Sequence, residues 1–598
     1  MSTRSGVRLR RSTETRVVLR RSAIAASVLL LSLLLGCVAV PTAGPIRKVE
    51  GQQPRCQNCV TIEVKPPAPG DDPQTIVENY LRATSNYQPN YSVARTFLTR
   101  EAATTWSPEV RTTIYRQTSL VSSGDRVLLQ GQQVGELDEH RSYTALDTSL
   151  WFDFRLTKED GEWRIYRAPV GLLVTESYFT RFYSSFSLHF LSNGYLVPDP
   201  IYLPTKLSPD NIASALIKAL LAGPSTWLKP GVTSAIPPTT TLSGDAVTIT
   251  DGVATVPLND PVLQLNEEQR ALMAAQVIHT LQDAIGIKRV LFTVNSQPLR
   301  VPGGDEASFV VAADTIPRQL DPIPEIPGEQ LYAVRKGAVQ VLQDDNASPE
   351  VQPVPGALGK SGYDVDSVAI SLPQTDLAVV TNNRTVLRWS KIGPHEVPRT
   401  VLSGQRDLLR PQFSRDGELW AVSGPAGGQR VWMFADGKRI EVAAGTVLGS
   451  GGITAFRISP DGARMALIRK LNGRTQLGLA RIERADKIAV DGWRRLDTTA
   501  SLQEQLARLQ DVAWINATEL MVLRSTSDAA ALQTYRISQD ALTIMANPEA
   551  TIRDAVELTV RQPNRTAIVA GRNGHTYRSD GGQWTPFVKN LSTIAYPG

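Results

Sequence analysis

The chain has 598 residues, 42% hydrophobic and 20% charged, which is enough for two to four domains and excludes a wholly disordered protein. Its formal charge of +5 comes from the first 36 residues, which hold seven Arg and one Glu. The remaining residues include 56 basic and 57 acidic side chains. A surface so near neutrality lacks the basic stripe that binds phosphate backbones, so we expect no nucleic-acid partner.

Residues 1–36 have the order of a lipoprotein signal peptide. A basic segment precedes the apolar run Ala23–Leu35, which is shorter than the ~20 apolar residues that span a bilayer. No other stretch of the chain approaches that length. The run ends in Leu34-Leu35-Gly36-Cys37, which resembles the lipobox. The resemblance implies cleavage before Cys37, attachment of lipid such as palmitate at that residue, and anchoring on the extracytoplasmic face of the cell membrane; an uncleaved signal anchor is the alternative.

Residues 37–70 form the predicted tether, because they are rich in Pro, Gly and polar residues and show no sustained periodicity. The tether contains Cys56 and Cys59. A zinc site would need two further ligands, and the sequence offers no second Cys pair and no nearby His. Outside the cell the pair is expected to form a local disulfide, since Gln57-Asn58 gives no sign of the helix start that a redox role would need.

Residues 71–180 are predicted to form an α+β domain. Asp72-Pro73 has the pattern of a helix start, and a second helix is expected near Tyr91–Leu98. Alternating apolar and polar residues predict strands at Val127–Gln130, Ser149–Leu156 and Trp163–Ala168. Helices followed by an antiparallel sheet resemble the cone-shaped fold named after nuclear transport factor 2 (NTF2). No acidic and His pair points into such a cone, so we expect a scaffold.

Residues 181–302 show strands and helices in a β-then-α order. Ser208-Pro209-Asp210 predicts the start of a helix that stops at Gly223, and a longer helix is predicted over Glu267–Ile285. Several segments resemble the GerMN module of sporulation and cell-envelope proteins: Leu221-Ala-Gly223-Pro224, Ile236-Pro237, Asp251-Gly252-Val-Ala-Thr-Val256, Gln276-Val-Ile-His279-Thr280-Leu281 and Val290-Leu-Phe-Thr-Val294. The resemblance covers about 120 residues and implies an α/β domain.

Two features of this region bear on function. His279 lies in the longer helix beside apolar neighbours and without an evident partner, so it is interpreted as a core or cap histidine. A group of aromatic residues is interpreted as packing between two domains rather than as the lining of a groove: Tyr178, Phe179, Phe182, Tyr183, Phe186 and Phe190.

Residues 303–328 are a Pro-rich linker, and residues 329–598 are repetitive. The repeats place Ala378, Ala421, Ala466, Met521 and Ala567 at equivalent positions, with spacings of 43, 45, 55 and 46 residues. That is the length of a four-stranded propeller blade. Recurrent Asp-Gly turns end at Gly417 and Gly462 and are interpreted as structural. We predict an all-β propeller of five or six blades, closed by Leu331–Leu342 and the C-terminal strand.

The common catalytic motifs are missing from the sequence: there is no G-x-S-x-G, no P-loop and no H-E-x-x-H. The five His have no ligand spacing: His140, His189, His279, His395 and His575. We therefore predict no catalytic residues, no metal site, no cofactor and a non-enzymatic role. The alternative is an envelope glycan-binding protein or hydrolase with a site at the propeller mouth, because catalytic groups can meet only in three dimensions.

The whole order of lipobox, α+β cone, GerMN module and C-terminal propeller resembles the actinobacterial LpqB lipoproteins. The resemblance implies a membrane-anchored accessory protein that binds the extracytoplasmic domain of a sensor histidine kinase, the MtrB type of the MtrA/MtrB two-component system. It further implies an effect on cell-wall and division homeostasis. On this basis the GerMN module and the propeller are expected to bind the kinase together. The resemblance names no contact residues and gives no sign for the regulation.

The first prediction concerns the anchor. Replacing Cys37→Ala should abolish labelling by a fatty-acid analogue and release the chain from membranes, because the acyl chains would be the only membrane attachment. Cell fractionation with metabolic labelling measures both effects. A Cys56→Ala, Cys59→Ala variant is the matched control and should stay labelled. Equal membrane retention of the Cys37→Ala variant and the unchanged chain would contradict the assignment.

Overall fold

In the computed structural model of the protein, the described residues are 64–598, except 245, 324–329, 344–348, 450, 498–499, 526–531, 547–551, 553, 563–565 and 581–582. The signal peptide, Cys37, Cys56 and Cys59 lie outside the described residues. Val64–Gly598 forms one compact unit. Within it the described residues build three modules in the predicted order: an α+β sheet domain, an α/β domain and a propeller.

The first module consists of short helices followed by a five-stranded sheet. Its elements are α1 (Pro73–Ser85), α2 (Ser92–Thr96), α3 (Arg100–Thr105), β1 (Thr112–Ser123), β2 (Arg126–Leu137), β3 (Tyr143–Glu159), β4 (Glu162–Arg167) and β5 (Leu172–Thr175). The sheet order is β4-β3-β2-β1-β5. The side chain of Asp72 caps α1, as the sequence predicts. The sequence pattern missed β1, because its centre is polar on both faces and two bulges shift its register against β2.

The second module is built on a parallel strand pair joined by a long helix. Its elements are α4 (Glu176–Phe182), β6 (Tyr183–Ser192), β7 (Tyr195–Pro204), α5 (Pro209–Ala222), β8 (Thr248–Thr250), β9 (Val253–Leu258), α6 (Glu267–Ile285), β10 (Arg289–Val294), β11 (Gln297–Pro298) and β12 (Val311–Ala312). Strands β9 and β10 pair in parallel, and α6 is the crossover between them. Helix α6 starts with a capping box of Asn266 and Gln269 and ends at Gly286. These elements match the predicted α/β domain.

The propeller has six four-stranded blades, which settles the predicted range of five or six. The first blade consists of β36 (Thr593–Ala595), β13 (Gln330–Arg335), β14 (Ala338–Gln343) and β15 (Gln352–Pro353). The second consists of β16 (Val365–Ile370), β17 (Asp376–Thr381), β18 (Val386–Lys391) and β19 (Arg399–Leu402), and the third of β20 (Gln412–Phe413), β21 (Leu419–Ser423), β22 (Arg430–Ala435) and β23 (Lys438–Val442). The fourth consists of β24 (Gly452–Ile458), β25 (Arg464–Leu471), β26 (Arg474–Arg484) and β27 (Ile488–Arg495). The fifth consists of β28 (Leu509–Trp514), β29 (Glu519–Ser525), β30 (Leu532–Ser538) and β31 (Ile544–Ala546), and the sixth of β32 (Ala555–Arg561), β33 (Thr566–Gly571), β34 (His575–Ser579) and β35 (Thr585–Lys589). Two short helices, α7 (Gly445–Leu448) and α8 (Ala500–Gln505), lie between blades.

The ring is closed by strand pairing between the two ends of the propeller. Strand β36 pairs antiparallel with β13, opposing Ala595 to Tyr332. The C-terminal strand therefore supplies the innermost strand of the first blade, as the sequence predicts. Apolar clusters fill the spaces between blades, such as the cluster of Trp420, Phe456 and Met465 between the third and fourth blades.

The recurrent Asp-Gly turns connect the innermost strand of a blade to the next strand. Gly417 has φ of 78° and Gly462 has φ of 73°, both in the left-handed region. The amide of Gly462 donates to the carbonyl of Ser459 at 2.8 Å, and the Ser459 hydroxyl accepts from the amide of Arg464 at 3.0 Å. The turns are structural, as the sequence predicts.

The second prediction follows from these angles. Gly417→Val and Gly462→Val should each lower the free energy of unfolding by about 1–3 kcal/mol, because a β-branched residue is strained at positive φ. Chemical denaturation measures the change. Gly428→Val is the matched control: it lies in an exposed turn of the third blade, outside positive φ, and its added Cβ meets only ordinary contacts. Equal losses in all three variants would contradict the strain argument.

Candidate functional site

The aromatic residues at the junction of the first two modules are packing residues, as predicted. The rings of Phe179 and Tyr143 stack with centroids 5.9 Å apart, and Tyr202 of β7 lies 5.4 Å from Phe179. Phe179 and Tyr183 are buried in the core of the first module, and Phe190 is buried in the core of the second. Phe179, stacked on Tyr143 and in contact with Tyr202, therefore packs between the two modules, whereas Phe190 packs within the second. Tyr178, Phe182 and Phe186 are half-buried.

Tyr202 also ties this junction to the propeller. Its hydroxyl donates to Oδ2 of Asp540, in the fifth blade, at 2.5 Å. Burial, and then the Asp540 carboxylate, raise the pKa of Tyr202 well above its ordinary value. The phenol therefore stays protonated and acts as a permanent donor. One side chain thus links all three modules.

The second module docks on the face of the propeller that carries the Asp-Gly turns. Asp416 accepts hydrogen bonds from Nδ2 of Asn193 and from the hydroxyl of Tyr195, each at 2.5 Å. The guanidinium of Arg415 lies 4.0 Å from the centre of the Tyr195 ring and donates to the carbonyl of Gln319 at 2.9 Å. The middle residues of a repeat turn therefore serve as docking contacts.

Arg464 is the most deeply buried cation at this seam, with its side chain 0% exposed. It forms an ion pair with Asp461, donates to Gln539, and donates to the carbonyl of Ala517 at 2.8 Å. A buried charge is tolerated only when it is paired and hydrogen-bonded. Arg464 thereby fixes the turns of the fourth and fifth blades where the second module packs on them.

A second contact at the same seam uses Trp227 of the second module. Its indole nitrogen donates to the carbonyl of Gly492 at 2.6 Å, and the guanidinium of Arg494 lies 4.2 Å from its ring centre. Arg481 donates to the carbonyl of Trp227 at 3.1 Å. These polar contacts and stacked cations join the second module to the propeller.

An ion-pair cluster closes the central channel of the propeller. Asp511 accepts two bonds from Arg457 at 2.9 Å, one from Arg410 at 3.1 Å, and two from the backbone amides of Val512 and Leu558. Arg410 also lies 3.5 Å from Glu557. Burial raises the pKa of both carboxyl groups, against the opposing effect of Arg410. With its lone pairs saturated, Asp511 braces the inner strands and is a poor candidate for a catalytic base.

The structure corrects the expectation that His279 has no partner. Its Nε2 lies 3.4 Å from Oδ1 of Asp321, and its ring centre lies 5.8 Å from that of His189. The Nε2 of His189 lies 3.3 Å from Oδ2 of Asp283. The sequence could not bring this pair together, because the two His lie on β6 and α6 and meet only when α6 packs against the β6-β7 hairpin.

The described residues contain no group of three or more His, Cys, Asp or Glu side chains placed to hold a metal ion. Among the helices in the described part of the chain, none is both long and apolar enough to cross a bilayer.

The outer face of the first module's sheet carries three of the exposed large apolar side chains of the described residues. Trp151 is 70% exposed, Val121 54% and Tyr166 50%. Five of the eight exposed large apolar side chains belong to this module, so the exposure is concentrated there. Arg126 and Arg155 pair with Asp153 on the same face at 2.8 and 3.0 Å. We call this surface the outer sheet face.

The tether reaches the body beside this face. The amide of Gly70 donates to Oε2 of Glu162, the first residue of edge strand β4, at 2.9 Å. Val64 packs against the core of the module. Tyr166 lies on the same edge strand, so the outer sheet face begins where the tether ends.

The fold and these sites define a multimodular protein of an α+β domain, a GerMN-type domain and a six-bladed propeller. Three family profiles match in this order: "Lipoprotein LpqB, N-terminal domain" at residues 66–180, "Sporulation and spore germination" at 187–300, and "Lipoprotein LpqB beta-propeller domain" at 340–597.

Relatives match along almost the whole chain. "Lipoprotein LpqB" of Cutibacterium acnes is 30% identical over 602 residues, covering 96% of this chain and 98% of the relative. The protein of that name from Streptomyces avermitilis is 26% identical over 95% of this chain and 96% of its own. That of Mycolicibacterium smegmatis is 28% identical over 73% of this chain and 77% of its own. The chain belongs to the LpqB lipoprotein family, whose members are membrane-anchored lipoproteins.

The third prediction concerns the histidine pair. Burial, and then the neighbouring His189, lower the pKa of His279 to about 4. An exposed His in the unfolded chain has a pKa near ~6.5. Between pH ~6.5 and pH 4 the unfolded chain therefore binds more protons at this residue than the folded chain does. The contribution of His279 to the free energy of unfolding is present above pH ~6.5 and is lost as the pH falls toward 4. The loss is on the order of 3 kcal/mol at most.

Denaturant unfolding at pH 7 and pH 5 measures this loss. The His279→Gln variant should show a smaller drop in stability between the two pH values than the unchanged chain. His395→Gln, at an exposed position of the propeller, is the matched control. Identical drops in the His279→Gln variant and the unchanged chain would rule out this source of acid sensitivity.

Proposed function

We propose that this protein is a non-catalytic regulator that binds the extracytoplasmic domain of a membrane sensor histidine kinase, of the MtrB type in an MtrA/MtrB system. By this binding it would tune the kinase and, through it, cell-wall and division homeostasis. The observation that carries the proposal is the outer sheet face, which presents exposed aromatic residues and arginines on a rigid sheet.

The composition of this face is that of a protein interface. Trp, Tyr and Arg are the residues enriched where binding energy concentrates, because they combine large contact area with specific polar groups. Trp151 and Tyr166 supply the area, and Arg126 and Arg155 supply the polar groups. The paired Asp153 holds both guanidinium groups in place before a partner arrives, which lowers the entropy cost of binding.

The position of the face suits a partner in the same membrane. The chain between Cys37 and Val64 spans at most about 90 Å when fully extended. Anchoring both proteins in one membrane raises their effective concentration, so a modest affinity between soluble domains would suffice. The expectation that the second module and the propeller share in binding remains part of the proposal, since Tyr202 and Trp227 hydrogen-bond these two modules to each other.

A non-enzymatic role fits the side chains at the candidate sites. The carboxyl groups of Asp511 and Glu557 both lie beside Arg410, and each also accepts from backbone amides. Polar groups at the seam hold modules together, and the Asp-Gly turns shape the blades and dock the second module. The described surfaces thus favour binding of a partner over chemistry on a substrate.

The fourth prediction tests the outer sheet face. Trp151→Ala combined with Tyr166→Ala should weaken binding of the mature chain to a kinase sensor domain by about 10–100-fold, because truncating buried interface aromatics costs about 2 kcal/mol or more. Calorimetry or surface plasmon resonance measures the affinity, and kinase autophosphorylation in vesicles with both proteins anchored measures the effect on activity.

The control is Val397→Ala, which truncates a side chain that is 71% exposed on the propeller. It should leave the affinity and autophosphorylation unchanged. The melting temperature should be the same in all variants, because the altered residues are exposed. If the unchanged chain binds the sensor domain neither in solution nor in vesicles, the regulatory role is wrong. If the double variant binds as tightly as the unchanged chain, the interface is not on the outer sheet face.

A further inference from the structure

One blade spacing departs from the others and has a structural counterpart. Ala466 and Met521 are 55 residues apart, whereas the other spacings are 43 to 46. The longer strands of the fourth blade and a longer connection between β27 and β28, which includes α8, together supply the extra residues. We call this connection the insertion. Leu496, Leu506 and Leu509 anchor this insertion in the apolar cluster between the fourth and fifth blades. The insertion is therefore part of the packed body.

The insertion forms one wall of a groove of about 1250 Å³. The opposite wall is the turn between β25 and β26, and the amide of Leu509 joins the two walls by donating to Oγ1 of Thr475 at 3.1 Å. Thr454 and Gln510 line both this groove and the channel mouth beside Asp511. The groove therefore runs outward from the channel on the face opposite the second module. We call it the insertion groove.

The charges in the insertion groove are unbalanced. Lys470, Arg474 and Arg508 line it and are exposed, and among the described residues no carboxylate forms an ion pair with any of them. Arg495 and Asp497 neutralise each other at 3.1 Å. Glu504 is the remaining acidic side chain in the lining. The groove thus holds an excess of positive charge on a protein whose overall surface is near neutrality.

We propose that the insertion groove binds the phosphate groups of an extended anionic polymer. Guanidinium groups pair with phosphate through two parallel hydrogen bonds, and cations without carboxylate partners are free to do so. Drug-sized ligands occupy pockets of roughly 300–1000 Å³, so the groove suits several linked units better than one small anion. Lys470 and Arg474 on one wall and Arg508 on the other would contact successive phosphates.

This proposal is independent of the kinase proposal, because the insertion groove and the outer sheet face belong to different modules. The fifth prediction uses the mature chain, residues 37–598, with Cys37→Ser to avoid lipid, and long-chain polyphosphate as the probe. We expect binding that weakens as salt rises, since phosphate contacts release counterions. Arg474→Glu combined with Arg508→Glu should weaken this binding by about tenfold or more.

The matched control is Arg572→Glu. Arg572 is exposed in the equivalent turn of the sixth blade, on the same face but outside the insertion groove. The Arg572→Glu variant should bind polyphosphate as tightly as the unchanged chain does. Every variant should keep the melting temperature of the unchanged chain. Trp151→Ala with Tyr166→Ala should also leave polyphosphate binding intact, which separates the two proposals experimentally.

Two further probes identify the source of the phosphate. Inorganic phosphate should bind far more weakly than polyphosphate, and phosphatidylglycerol vesicles should not discriminate between the groove variant and the unchanged chain. Tight binding of inorganic phosphate would make the groove a single-anion site, and groove-dependent vesicle binding would assign it to lipid headgroups. Either result would overturn the proposal. So would a loss of polyphosphate affinity in the Arg572→Glu control equal to that in the groove variant, or the absence of polyphosphate binding by the unchanged chain.

Discussion

The pairing of β36 with β13 is the constraint on which the propeller depends. It joins chain segments about 260 residues apart, so the ring closes only after all six blades are in place. Closure also completes the axis, because Glu557 accepts from Thr593 and Ile594 of β36, and Arg410 donates to the carbonyl of Ile594. The strand pairing and the axial ion pairs therefore stabilise each other.

A closed ring presents its turns as a fixed surface, and the second module uses that surface. Asp416 and Asp461 belong to equivalent turns of neighbouring blades, yet one accepts from Asn193 and Tyr195 while the other pairs with Arg464. Asp461 also accepts from the Ser459 hydroxyl and the Ala463 amide within its own turn, whereas Asp416 accepts from the second module. A repeated local structure has thus been adapted to a specific interface between modules.

The contacts between the second module and the propeller are largely polar, whereas the first two modules meet through aromatic rings. The two exposed surfaces differ from each other in chemistry. The outer sheet face carries aromatic residues and paired arginines, and the insertion groove is lined by exposed cations that no carboxylate of the described residues pairs with. Such distinct chemistry suits two different ligands, one a folded protein and one a flexible polyanion. Both surfaces lie within the compact unit Val64–Gly598, so a ligand bound at either one is linked to the other through folded protein.

The sequence by itself determined the order of modules, the long helix of the second module, and the blade period, because these depend on local periodicity and turn chemistry. Tertiary structure alone decided the partner of His279, the axial cluster, the docking role of Asp416 and the walls of the insertion groove. Each joins residues far apart in the chain, such as Asn193 and Asp416, through contacts that have no local pattern. Strand β1 was missed for a related reason: its bulges and polar centre hide the alternation, and only pairing with β2 and β5 makes it a strand.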